Sequence, residues 1–161
     1  MMFRIGLGFD SHPFGECEGK PLKLGGIVLT EELCLKGHSD ADVLLHAITD
    51  ALLGAIGEKD IGQLFPPEDP RYEDADSSLF LKTALKLLRD KGFEIANIDC
   101  VIICDKPKIS PHKERIRKNL SKLLGIGVER INLKGKTTEG LGSSEGITVI
   151  CTTLLVERKL T

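Results

Sequence analysis

Apolar residues along the chain keep two different rhythms. Extended runs occur at residues 3–9 and 22–29, the second with Gly25-Gly26 at its centre. Together they predict a hairpin whose tip is the loop around Gly15–Gly19. Further strands are expected at residues 99–104, 131–134 and 147–156. Between the runs the rhythm becomes helical. Leu44, Leu45, Ile48, Ala51, Leu52 and Ala55 recur at helical spacing. This helix is predicted to start near Ser39, a good N-cap, with Asp40 and Asp42 favouring the positive end of the dipole. A second helix is expected from about Ser77 to Lys91, stopped by Gly92. A third opens at Ser110-Pro111 and ends before Gly125. Gly62, Pro66, Pro67 and Pro70 make the stretch between Gly57 and Ser77 irregular.

This order predicts an α/β (α+β) single-domain sandwich over residues 1–161. Its mixed four- to five-stranded sheet would carry helices mainly on one face. So few strands cannot close a barrel. An open face or edge needs cover, and self-association is the simplest cover.

Charge narrows the function. Lys plus Arg is 22 and Asp plus Glu is 24, for a net charge of -2. Nonspecific nucleic-acid binding needs a basic surface and is not expected. Aromatic residues are 4%, too few for a base-stacking platform. No apolar run reaches the roughly 18 residues of a membrane span, and the first residues lack a signal peptide's apolar stretch. The protein is expected to be cytoplasmic. Its five cysteines are odd in number and include no CxxC pair, so neither a disulfide framework nor a structural zinc site is expected. Cys100 and Cys104 are expected to be buried free thiols.

Asp42, His46 and Asp50 are spaced four apart, which places them on one helix face. That stripe alone reads either as a functional acid–imidazole row or as capping and a solvated face. Asp10 and His12 are two apart in extended chain and point to the same side. With His46 they supply a carboxylate and two imidazoles, the three-ligand set of a catalytic zinc, although Asp10-Ser11-His12 alone reads more readily as a turn Asp and a surface His. Phosphate handling is suggested at the helix starts Ser39 and Ser110, and in the loop from Lys136 to Gly142. Glu139 in that loop could hold a hard cation beside phosphates, although an ordinary glycine-rich hairpin loop reads equally well. Asp60-Ile61-Gly62 reads either as a polyol grip or as an Asx-turn, with the turn favoured.

Taken in order, these segments resemble one family. Residues 4–12 resemble RIGxGxDxH, and residues 37–47 resemble GHSDxDxxxHA. Asp60-Ile61-Gly62, Phe65-Pro66, Asp69-Pro70, Pro107-Lys108, Pro111-His112, Lys134, Thr137-Thr138-Glu139 and Glu145-Gly146-Ile147 follow in the same sequence. The chain is similar, over nearly its whole length, to the 2-C-methyl-D-erythritol 2,4-cyclodiphosphate synthase family of non-mevalonate isoprenoid biosynthesis. The resemblance implies a metal-dependent phosphorus–oxygen lyase. Its substrate would be 4-diphosphocytidyl-2-C-methyl-D-erythritol 2-phosphate, whose 2-phosphate attacks the β-phosphorus and expels CMP. It implies one zinc per subunit on Asp10, His12 and His46, and magnesium or manganese on the substrate diphosphate with help from Glu139. His38 and Thr137 match residues of transition-state stabilisation, and Ser39 lies beside the same phosphate. Asp60 and Gly62 would hold the methylerythritol, with Ile61, Phe65 and Asp69 also in the substrate site. Cys104 to Ser110, including Pro107 and Lys108, would form the cytosine pocket, and Lys136 and Thr137 would face the CDP phosphates, with Thr138 also in the substrate site. The resemblance also implies a homotrimer with sites between subunits. The chain departs from the family pattern at Leu7, Pro67 and Lys136, and its loop from Gly142 to Glu145 is shorter and lacks the usual Phe and Arg.

Overall fold

In the computed structural model, residues 1–142 and 145–159 are described. Ser143 and Ser144 of the short loop lie outside the described residues. The main sheet has five strands: β1 (Phe3–Gly15), β4 (Cys34–Leu35), β5 (Phe93–Ile103), β6 (Ile131–Lys136) and β7 (Gly146–Glu157). They run in the order β4-β1-β7-β5-β6. Only the β5–β6 pairing is parallel, so the sheet is mixed, as expected. The helices are α1 (Val43–Ala55), the short α2 (Ile61–Leu64), α3 (Ser78–Asp90) and α4 (Lys113–Leu124). No helix among the described residues is long and apolar enough to cross a membrane.

Strand alternation divides β1 sharply. Gly6 and Gly8 are buried, and Asp10 and His12 partly so, on the helix side. Phe3, Ile5, Leu7 and Phe9 point the other way and are 58%, 76%, 69% and 61% exposed. The glycines let α1 lie directly on the strand. A Cβ at Gly6 would strike the carbonyl oxygen of Ala51, and one at Gly8 that of Ala47. Helix α1 is buried almost all round, from Val43 to Ala55 with only Asp50 and Gly54 outside the core, because α3 closes its far side with Phe80, Leu81, Ala84, Leu85 and Leu88.

Three local expectations are corrected. The stretch at residues 22–29 does not pair with β1. It folds on itself as β2 (Leu22–Leu24) and β3 (Ile27–Thr30). Gly25 and Gly26 both take positive φ, 63° and 79°, the geometry of a two-residue hairpin turn. The N-cap of α1 is Asp42 rather than Ser39, with its carboxylate accepting from the Leu45 amide at 3.0 Å. Finally, Cys17 and Cys34 form a disulfide with their Cα atoms 5.2 Å apart. The pairing of Gly15 with Cys34 at the end of β1 brings the two cysteines together. Cys100, Cys104 and Cys151 are buried free thiols, as expected for the first two, and burial pushes the Cys104 thiol up to about 11.

Candidate active site

Close approach of α1 to β1 carries His46 over the end of the strand, where Asp10 and His12 point inward. Asp10 Oδ2 lies 2.9 Å from His12 Nε2 and 3.1 Å from His46 Nδ1. The two imidazole nitrogens are 3.3 Å apart. Among the described residues this is the one group of three such side chains placed to hold a metal ion. Tetrahedral zinc with bonds of about 2.0–2.1 Å separates its ligands by about 3.3 Å. The triangle therefore has the right donors and nearly the right size. Burial alone would raise the Asp10 pKa, but hydrogen bonds and charge from both histidines outweigh it and hold the carboxyl far below the usual range. Burial would lower His12, but its pairing with Asp10 raises it above the ordinary imidazole value.

The nitrogens that face away from the triangle are also engaged. His12 Nδ1 is 2.7 Å from the Lys36 carbonyl oxygen. His46 Nε2 is 2.8 Å from Ser77 Oγ and 3.0 Å from Ser39 Oγ. The Ser77 hydroxyl donates to the Asp40 carboxylate, which also accepts from the Ser77 amide at 3.1 Å. Sequence reasoning missed Asp40 and Ser77 in this setting. Ser39, expected beside a phosphate, is 5% exposed and turned toward His46.

A cavity of about 160 Å³ opens beside the triangle. Its walls include the predicted His12, His38, Ser39, His46, Ile61, Gly62 and Phe65. Pro67, Tyr72 and Phe80 also line it. Tyr72 and Phe80 were not singled out in the sequence, because they act as a cluster with Phe65, with ring centroids 4.5–5.9 Å apart. Asp60 caps α2, accepting from the Gln63 amide at 2.9 Å. Asp69 is held by Arg71, which keeps its pKa low. Neither of these carboxylates lines the cavity. The four-spaced stripe also resolves into separate jobs. Asp42 is buried and accepts from the Gly25, Gly26 and Leu45 amides, and Asp50 accepts from the Ile61 amide.

A second cavity, about 330 Å³, lies where β5 and β6 end. Cys104, Pro107, Lys108, Ser110, Lys136 and Thr137 line it. It shares no lining residue with the first. Both open at the same end of the sheet, since Thr148 of β7 pairs with Ser11 on one side and Ile103 on the other. Asp105 ties its rim together by accepting from the Thr138 amide at 2.8 Å and from the Thr138 hydroxyl. The Thr137 hydroxyl donates to Glu139 Oε1 at 3.1 Å. Glu139 is exposed and is not part of the Asp10–His12–His46 group.

The family model described as the YgbB family matches residues 3–156. A 2-C-methyl-D-erythritol 2,4-cyclodiphosphate synthase of Aquifex aeolicus (strain VF5) is 59% identical over 157 residues, covering 98% of this chain and 99% of that one. Another, from Bacillus mycoides (strain KBAB4), is 50% identical and covers 98% and 100%. Among solved structures, the bifunctional IspDF from Campylobacter jejuni superposes with a TM-score of 0.92 at 40% identity. The match takes in 97% of this chain and 42% of that longer one. A Plasmodium falciparum IspF in complex with CDP gives a TM-score of 0.85 at 37% identity, covering 98% and 97%.

Proposed function

Because this chain belongs to the YgbB family, whose relatives above are cyclodiphosphate synthases, we propose that Asp10, His12 and His46 hold zinc at the heart of the same reaction. The enzyme converts 4-diphosphocytidyl-2-C-methyl-D-erythritol 2-phosphate to 2-C-methyl-D-erythritol 2,4-cyclodiphosphate and CMP. An oxygen of the 2-phosphate bonds to the β-phosphorus. The bond from that phosphorus to the oxygen bridging toward the α-phosphate breaks, and CMP leaves with that oxygen. The nucleophile is already an anion, so the chain's task is alignment and charge complementarity rather than proton removal. Bound zinc, and magnesium or manganese on the diphosphate, supply positive charge to phosphate oxygens.

The residues divide this work. Asp10, His12 and His46 hold zinc, and His38 lies in the wall of the same cavity. Asp60 and Gly62 hold the methylerythritol, with Ile61, Phe65 and Asp69 also in the substrate site. The 104–110 segment takes the cytosine. Lys136 and Thr137 meet the diphosphate, with Thr138 also in the substrate site, Glu139 holding the second cation and His38 and Thr137 steadying the transition state. The observation that carries the reading is the ligand triangle with edges of 2.9, 3.1 and 3.3 Å.

A homotrimer joins the two cavities into complete sites, one subunit supplying the zinc triad and its neighbour the cytosine pocket. Two observations support it: the cavities share no residue, and the outer face of β1 leaves four large apolar side chains exposed. We place the enzyme in the cytoplasm.

Phosphorus NMR of the purified protein with this substrate, zinc and magnesium tests the reaction. A cyclic diphosphate appearing together with CMP is the expected outcome. Orthophosphate in its place would mean that the site activates water and is a hydrolase. Glu139→Gln is expected to raise the magnesium concentration needed for half-maximal rate while leaving zinc content unchanged. An unaltered magnesium titration would remove Glu139 from the second cation.

A further inference from the structure

Proton positions around the two histidines follow from their partners. A backbone carbonyl can only accept, so His12 must donate from Nδ1 to Lys36, which leaves Nε2, paired with Asp10 at 2.9 Å, as the nitrogen facing the triangle. His46 is settled by a longer chain. The Asp40 carboxylate, which can only accept, takes the proton of the Ser77 hydroxyl. It is held in place by the Asp42 amide at 3.2 Å and the Ser77 amide at 3.1 Å. A hydroxyl has one proton. With that proton committed to Asp40, Ser77 Oγ can only accept from His46 Nε2, 2.8 Å away. Ser39 fits the same arrangement. Its oxygen is 3.0 Å from His46 Nε2, and its own proton has Ser77 Oγ within 3.3 Å. His46 therefore keeps a proton on Nε2, and Nδ1, which faces Asp10 Oδ2 at 3.1 Å and His12 Nε2 at 3.3 Å, is the nitrogen left for a metal.

We propose that Asp40 is a positioning residue for the metal centre: acting through Ser77, it fixes His46 in the tautomer whose Nδ1 can bind zinc. The inference rests on the reading of His46 as a zinc ligand. Such outer partners set ring orientation and tautomer, and losing one typically weakens metal binding about 10–100-fold.

Asp40→Asn separates this role from simple support. An asparagine keeps the size and one acceptor, but its amide can donate to Ser77 Oγ. The Ser77 proton is then free to turn toward His46 Nε2 and push the ring proton onto Nδ1. In the metal-free protein, nitrogen-15 spectra of the imidazoles should show a proton on His46 Nε2 in the unaltered chain and a reduced Nε2–H population in Asp40→Asn. With four histidines in the chain, the assignment is tractable. Zinc titrated against a chromophoric chelator should bind Asp40→Asn about 10–100-fold more weakly. Ser77→Ala should behave like Asp40→Asn, because Ser39 can then donate to Nε2, whereas Ser77→Thr, which keeps the hydroxyl, should restore tight binding.

Unchanged zinc affinity and an unchanged Nε2–H signal in Asp40→Asn would overturn the proposal. If Asp40→Asn fails to fold by circular dichroism, the serine pair decides alone: equal affinity for Ser77→Ala and Ser77→Thr would overturn it. Absence of stoichiometric zinc in the unaltered chain would instead remove the metal reading itself, and the proposal with it.

Discussion

At the proposed metal site, zinc and a proton would compete for the same nitrogen of His12. Asp10 raises the His12 pKa above its ordinary value, so near pH 6.5 this ring carries a proton more often than a free imidazole does. A metal must displace it. Zinc binding in that range is therefore expected to release protons and to weaken as pH falls through the raised pKa. Calorimetry in buffers of different ionisation enthalpy reads the released protons directly, and a release of zero would contradict the pairing. In the metal-free protein the sign reverses. The folded His12 pKa lies above the unfolded one, so this group's contribution is full below the unfolded value and fades as pH rises through the folded value, while that of Asp10, held low, fades as pH falls. Asp10 and His12 were legible because a two-residue spacing in a strand fixes their side. His46 was legible for an incomplete reason. Its four-spaced neighbours Asp42 and Asp50 turned out to bind backbone amides. Its true partner Ser77 lies 31 residues away, where no spacing rule reaches.

Asp42 joins two elements at one point. Its carboxylate caps α1 and grips the turn of the β2–β3 hairpin through the Gly25 and Gly26 amides, at 2.9 and 2.7 Å. Asp42→Ala would strand all three donors, two of them in fully buried hydrogen bonds. Each buried unsatisfied donor costs about 1–3 kcal/mol, and the three are not additive, so a loss of about 2–4 kcal/mol is expected in urea denaturation. A loss below about 1 kcal/mol would show that water satisfies these amides. Helices α3 and α4 were legible from their starting serines and from their stops at Gly92 and Gly125, although a 3-10 turn over Ser110–His112 delays the start of α4 to Lys113. Strand β4 was not, since two residues carry no period. With β4 invisible, the neighbourhood of Cys17 and Cys34 was invisible too, and so was their disulfide.

At the scale of the whole molecule, the apolar outer face of β1 is the proposed subunit contact. Leu7, 69% exposed, stands in the middle of its apolar row. Leu7→Lys would bury a charge in the proposed subunit contact, which is strongly unfavourable without a partner. Sedimentation velocity should show trimers for the unaltered chain and mostly monomers for the variant, with activity lost in parallel. A monomeric unaltered chain would remove the trimer. That face was legible as an open side needing cover, because too few strands existed to close on themselves. The other face holds a quieter determinant. At Gly6 and Gly8 the contact between α1 and β1 is backbone against backbone, and the span across the three ligands is measured from there. At the proposed metal centre the bore would then be set by two carbon atoms that are missing as much as by the side chains that would touch the ion. Gly8→Ala leaves every ligand in place yet wedges the helix outward, at a cost of about 1–3 kcal/mol in packing. Its expected signature is a changed ranking of ions in a competition assay. Zinc should lose ground to larger cations that accept longer bonds, and an unchanged ranking would mean that the ligand side chains swing to restore the fit. Ion selectivity in this fold would then be a property of clearance, tunable from a position that never meets the ion.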